Sequence, residues 1–206
     1  MKNSKPFNQT RREFLQACFT IPAIGAMVLH DGLEVIAQTQ ELPPTPACGD
    51  EEDLTPPNAE GPFFKPKSPR RTSLLEPGIT GTKLIVTGYV LSTDCKPIPG
   101  ALLDFWHADA KGVYDNVGYK LRGHQFTDEA GRYYLETIVP GLYPGRTRHI
   151  HVKVQAPNKP ILTTQLYFPG ERLNQTDFIF RPELLMKIQD SHDSKTATFN
   201  FVLDVS

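Results

Sequence analysis

At 206 residues, 39% hydrophobic and 22% charged, the chain is long enough for one compact domain, and its composition excludes long-range disorder and fibrous repeats. Nineteen prolines, against roughly 5% in an average protein, disfavour long helices and point to short strands and turns. Twenty-two basic and 23 acidic residues give a formal net charge of -1 with no basic block, so no nucleic acid is expected as a partner and a small molecule fits better.

Residues 1–37 have the layout of an export signal: a polar basic start, an apolar middle and a small-residue exit. Thr10-Arg11-Arg12-Glu13-Phe14-Leu15-Gln16 resembles a twin-arginine signal. The apolar stretch from Ala17 to Leu29 is shorter than the ~20 residues a bilayer span needs, so a cleaved leader is expected and no stable membrane anchor. Val35-Ile36-Ala37 offers small residues for cleavage, which leaves 18 basic and 20 acidic residues in an exported, periplasmic or extracellular protein. Cys48 and Cys95 remain, and an oxidising compartment would let them pair.

An extended arm is expected over residues 38–82, whose first part is rich in Pro, Glu and Thr with little periodicity. A single sandwich domain then follows over 83–206. Leu84 to Leu91 is a β-branched apolar run, and Cys95-Lys96-Pro97-Ile98-Pro99-Gly100 is turn chemistry. Ala101 to His107 reads as the next strand. Thr127-Asp128-Glu129-Ala130-Gly131 turns into a strand over Arg132 to Ile138, and Pro140 to Gly145 is a loop. Arg148 to Gln155, Ile161 to Phe168 and Ala197 to Val205 complete the strands. One short C-terminal helix is expected over Pro182 to Gln189, with proline at a tolerated first-turn position. The fold class read from this pattern is all-β, an antiparallel β-sandwich with an N-terminal arm.

The sharpest chemical signal is His149-Ile150-His151. On a strand, residues i and i+2 point to one face about 6.5 to 7 Å apart, so both imidazoles can meet one ion. A cupin would add a glutamate four or five residues after the second histidine, where Gln155 and Ala156 stand. A two-histidine, one-carboxylate ferrous site lacks its carboxylate. Tyrosines surround the pair instead: Tyr143 in the Pro-Gly loop and Tyr114 at the end of Asp109 to Tyr114.

From Glu60 to Phe201 the chain resembles the intradiol ring-cleavage dioxygenases, the protocatechuate and catechol dioxygenase family. The residues that carry the resemblance are Val86-x-Gly88-x-Val90, Leu103-Asp104-Phe105, Gly112-x-Tyr114, Glu60-Gly61-Pro62-Phe63-Phe64, Asp128 to Tyr133, Thr137-Ile138-x-Pro140-Gly141-x-Tyr143, Arg146-x-x-His149-Ile150-His151 and Leu162-Thr163-Thr164-Gln165. Cys95 departs from the family pattern, which prefers glycine or serine there. The resemblance implies non-haem Fe(III) held by Tyr114, Tyr143, His149 and His151, with Tyr143 and His151 axial and Tyr114 and His149 equatorial. Hard phenolate donors suit that oxidation state. It further implies a catechol-type substrate and O2, with Tyr143 as base and Arg146 and Gln165 against the reacting ring.

Two residues separate Arg146 from His149, so on a continuing strand it would face away and can reach the site only if Pro144-Gly145 turns the backbone. Arg148 reads as a solvated strand charge. Asp104 and Arg122 are expected to be structural or to support the ligands, and His107 and His124 to be ordinary polar residues. The chain looks too short for the helical N-terminal domain of the catechol members, so it is expected to resemble one protocatechuate-type subunit, as a homo-oligomer or paired with a related subunit. Two rivals stand beside this reading: a transthyretin-like module binding aromatic or polysaccharide ligands without turnover, and a divalent-metal hydrolase, which would need an acidic ligand.

Overall fold

The β-branched run that opens the sandwich is the long strand β1 (Lys83–Ser92), which organises the first sheet of the computed structural model. The structure describes residues 54–206. The expected leader, Cys48 and with it the Cys48–Cys95 pairing lie wholly or partly outside the described residues.

β2 (Leu102–Trp106), β3 (Arg122–Phe126), β4 (Arg132–Ile138), β5 (His149–Gln155), β6 (Leu162–Tyr167), β7 (Lys187–Asp190), β8 (Ser194–Thr198) and β9 (Phe201–Leu203) follow in chain order. One sheet runs β4-β1-β8-β7 with β9 on the far end of β1, and the other runs β3-β2-β5-β6. Most pairs are antiparallel, as the sandwich reading requires, while β8 and β9 lie parallel to β1. Alternation in each strand sends Leu84, Val86, Val90 and Leu135 of the first sheet against Leu103, Phe105, Ile150, Val152 and Val154 of the second, and these residues form the buried core.

Two expectations need correction. The helix over Pro182 to Gln189 does not form: a 3-10 turn at Pro182–Leu184 gives way to β7. Proline opens the turn as expected, but Lys187 to Asp190 pair with β8, and the half-buried Ile188 packs against the core between exposed neighbours. Pairing along a sheet edge outweighs a weak helical propensity here. The strand over Ala197 to Val205 is also two strands, β8 and β9. Between them the Phe199 carbonyl dips over Gly88, where a Cβ would stand 1.8 Å from that oxygen. Asn200 Oδ1 accepts the Tyr89 amide at 3.1 Å.

β3, which the strand reading passed over, is polar; it pairs along its whole length with β2, and the arm adds to its other edge. Arg70 bridges to His124, and the Arg71 amide donates to the His124 carbonyl at 2.9 Å. Cys95 has a φ of 62°, the left-handed conformation for which glycine is preferred, which gives its departure from the family pattern a physical meaning.

Residues 54–82 run along the sandwich and contribute to it. Leu74 is fully buried in the core, the Asn58 amide donates to Thr163 O, and Thr164 Oγ1 donates to Pro56 O. The first part of this stretch, from Pro56 to Phe64, covers the outer face of the second sheet, and that cover positions the site.

Candidate active site

His149 and His151 project from the outer face of β5, opposite the side that Ile150 and Val152 give to the core. Cross-strand register places Trp106 of β2 and Gln165 of β6 on either side of His151, and Tyr167 of β6 opposite His149. An outward face would normally be wet, yet both histidines are buried. The arm makes the difference. Phe63 and Phe64 form a second apolar cluster with Trp106, Ala108, Tyr114 and Tyr143, and Gly61, at a φ of 69°, lies against the His151 ring. Trp106 stacks flat on His151 at 4.8 Å and 4°, and Phe63 stacks on Tyr114 at 4.4 Å and meets Tyr143 edge-on at 5.4 Å.

Three of the four expected ligands converge at hydrogen-bond distance. Tyr114 Oη lies 3.1 Å from His149 Nε2, which lies 3.2 Å from His151 Nε2. His149 Nδ1 is 2.6 Å from Thr147 O; a carbonyl only accepts, so Nδ1 carries the proton and Nε2 presents a lone pair to the cluster. His151 Nδ1 is buried without a well-formed hydrogen bond among the described residues. Burial, opposed in part by the Thr147 hydrogen bond, lowers the His149 pKa to about 4. Burial, then the neighbouring His149 and Arg146, holds His151 well below its ordinary value. Both imidazoles are neutral at pH 7.

Burial drives the Tyr114 hydroxyl far above the ordinary tyrosine value, with Arg146 and Arg122 pulling the other way. Only a strong cation in contact would make it a phenolate. Tyr143 comes from the next loop, its ring centre 5.8 Å from that of Tyr114 at 70°.

Two glycines set the spacing of the tyrosines. The Gly141 amide donates to Asp109 O at 2.7 Å, locking the Tyr143 loop onto the Tyr114 loop. A Cβ on Gly112 would stand 2.1 Å from Leu142 O, and one on Gly141 would stand 2.3 Å from Gly112 N. Each tyrosine therefore follows, two residues on, a glycine that lets the loops touch backbone to backbone. Gly141→Ala should leave the β-sheet circular dichroism in place while displacing both tyrosines, read as a changed near-ultraviolet tyrosine spectrum.

Arg146 reaches the site by the turn its position demands. In Tyr143-Pro144-Gly145-Arg146 the Arg146 amide donates to Tyr143 O at 3.0 Å, and Gly145 has a φ of 77°, a reverse turn with proline and glycine at their favoured positions. Arg146 Nη2 donates to Gln165 Oε1 at 2.8 Å, and Gln165 Nε2 donates to Ala59 O of the arm at 2.6 Å. All six expected site residues thus lie in one neighbourhood.

His107 and His124 are engaged elsewhere. His107 Nδ1 meets Ala108 O and Nε2 meets Thr137 Oγ1, both at 2.7 Å, and His124 Nδ1 meets Ser68 O at 2.8 Å. Arg122, 2% exposed, donates to the carbonyls of Asp115 and Phe63, holding the arm down. Asp104 accepts from Ser68 Oγ at 2.7 Å. Arg148 is not the solvated charge expected: it is half-buried, pairs with Glu171 at 2.6 Å and donates to Pro140 O. Sequence reading missed Asp177, Tyr167 and Thr147. Thr147 stands inside the Arg146-x-x-His149 motif, at a position the motif leaves open, whereas Asp177 and Tyr167 lie outside the motifs and reach Arg146 only through the fold.

The family model described as dioxygenase matches residues 59–205. Hydroxyquinol 1,2-dioxygenase of Nocardioides simplex is 30% identical over 198 residues, covering 84% of this chain and 62% of that protein. Among solved structures, the dioxygenase domain of a dioxygenase carbohydrate-binding protein fusion from Streptomyces sp. SirexAA-E is 58% identical with a TM-score of 0.73, over 74% of this chain and 99% of that one. The intradiol ring-cleavage dioxygenase from Tetranychus urticae is 26% identical with a TM-score of 0.67, over 73% and 94%. The chain spans 51% of the length of the catechol 1,2-dioxygenase of Acinetobacter baylyi and 62% of that of the Nocardioides enzyme. With a match that runs from the arm through the last strand, the chain belongs to the dioxygenase family that these intradiol ring-cleavage enzymes represent.

Proposed function

We propose that this chain is a non-haem Fe(III) dioxygenase that cleaves a catechol-type ring between its two hydroxyl-bearing carbons, adding both atoms of O2 to give a cis,cis-muconate-type diacid. The observation that carries the reading is the meeting of Tyr114 Oη, His149 Nε2 and His151 Nε2 within 3.1 and 3.2 Å steps, in a buried neighbourhood that Tyr143 shares. Two neutral imidazoles and two phenols make a donor set that, once deprotonated at the tyrosines, suits a hard trivalent cation. Tyr114, Tyr143, His149 and His151 would hold it.

When bound, a ferric ion would supply a Lewis-acidic centre that favours the phenolate form of the tyrosines and the anionic form of a catechol-type substrate. The remaining work belongs to the chain. Tyr143 Oη, on the more exposed of the two tyrosines, takes the proton of one substrate hydroxyl. Thr147 O fixes the His149 tautomer, so that its ring stays a lone-pair donor. Arg146 places a fixed positive charge where negative charge develops on the ring, and Gln165 holds that guanidinium. Phe63, Phe64 and Trp106 wall the site against water, which strengthens each of these interactions.

The mature protein, released from a twin-arginine leader over 1–37, would comprise the arm over 38–82 and the catalytic sandwich over 83–206, exported to the periplasm or beyond. A Cys48–Cys95 pair would tie the arm to the sandwich there. A homo-oligomer or a pairing with a related subunit belongs to the same reading. The test is direct: purified protein should carry iron, absorb visible light through tyrosinate-to-iron charge transfer, and consume one O2 per catechol cleaved across a panel of catechol, protocatechuate and hydroxyquinol. Colourless protein filled with zinc would sink the ligand set. Catechol binding without oxygen uptake would favour a binding module.

A further inference from the structure

The residue that most tightly constrains Arg146 is one that no motif announced. Asp177 follows the 3-10 turn at Arg172–Gln175, and its side chain is 1% exposed against 16% for that of Arg146. Its Oδ2 accepts from Arg146 Nε at 2.8 Å and from the Thr147 amide at 2.9 Å, and its Oδ1 accepts from the Ile179 amide at 3.2 Å. Burial alone would raise its pKa, but those hydrogen bonds, from Thr147, Arg146 and Ile179, outweigh burial and hold the carboxyl below its ordinary value.

A guanidinium is a planar fork, and two fixed donors on it set the direction of the third. Arg146 spends Nε on Asp177 and Nη2 on Gln165 Oε1, with Tyr167 Oη 3.4 Å from the same nitrogen. Gln165 is held in turn: its Oε1 also accepts from Tyr167 Oη at 3.0 Å, and Tyr167 Oη lies 3.1 Å from Ile179 O. The network returns to the Asp177 segment and leaves Nη1 without a hydrogen bond among the described residues. That edge is the one available to a ligand. Arg146 also exerts its charge on Tyr114, His149 and His151, so the held guanidinium stands beside the proposed ligand cluster.

We infer that Asp177 is a positioning residue: with Gln165 it aims Arg146 so that Nη1 faces the reacting ring. This rests on the ring-cleavage reading above, within which it assigns a role to a residue outside the family motifs. Its effect belongs to the transition state, because a misdirected arginine keeps its charge and loses its place.

The experiment compares wild type, Asp177→Asn, Arg146→Ala and the double variant by steady-state catechol turnover, iron content and visible spectrum. Asp177→Asn should keep its iron and colour, hold KM near wild type and lower kcat roughly 10- to 100-fold. In the Arg146→Ala background the same change should cost nothing further in kcat, since the residue it aims is gone. An equal fractional loss in both backgrounds, or a wild-type kcat for Asp177→Asn, overturns the inference. Arg146→Lys covers the case in which Asp177→Asn does not fold. Lysine keeps the charge but cannot be clamped at two points, so its kcat should approach that of Arg146→Ala, and a near-wild-type value overturns the inference. Wild-type protein that takes up no oxygen with catechol overturns the ring-cleavage reading, and this inference with it.

Discussion

Arg146→Ala is expected to leave the iron and its colour in place and to lower turnover of a bound catechol by about 10²- to 10³-fold, the usual cost of removing one preorganised charge-stabilising donor. No proposed metal ligand hydrogen-bonds to the Arg146 side chain: its partners are Asp177, Gln165 and Tyr167. Removing it should therefore spare metal uptake. What disappears is a cation, side chain 16% exposed, in a site where water screens little. Single-turnover measurements on iron-loaded protein separate the chemical step from substrate binding. Wild-type turnover, or loss of the iron, would return Arg146 to the scaffold.

The larger effect is expected at the ligands. His149→Ala should cost iron affinity well beyond the 10- to 100-fold typical of losing a ligand's supporting partner, and should abolish both colour and oxygen uptake. His149 Nε2 is the atom that both Tyr114 and His151 approach, so its removal opens the centre of the cluster. Iron uptake by wild type should also depend on pH in a fixed direction. Burial holds the Tyr114 hydroxyl protonated far above the ordinary tyrosine range, so binding must displace that proton. Affinity should then rise with pH, by about tenfold per unit for each proton displaced. Iron titration at two pH values, with the protons released counted in weakly buffered solution, checks both the sign and the number. An iron-binding His149→Ala that keeps its visible band, or pH-independent uptake, would contradict the proposed ligand set.

The sequence by itself determined the fold class, because strands rest on local patterns, while the proposed site residues beyond the His149 and His151 pair came from the resemblance to a family. Alternation in Leu84 to Leu91 and Arg148 to Gln155 dictates strands, and the i, i+2 spacing of His149 and His151 puts two imidazoles on one face whatever surrounds them. Pro144-Gly145 already holds the turn that Arg146 needs. Other features are decided by contacts between segments far apart in the chain. That the outer face of β5 is buried depends on Phe63 and Phe64 of the arm. The strand at Lys187–Asp190 depends on β8, and the break before β9 on the absence of a side chain at Gly88. Asp177 meets Arg146 across 31 positions of sequence, and no periodicity encodes such a meeting. Side-chain type and spacing set what each residue can do; only tertiary packing decides which charges, carbonyls and rings share its surroundings, and with them its protonation and its aim.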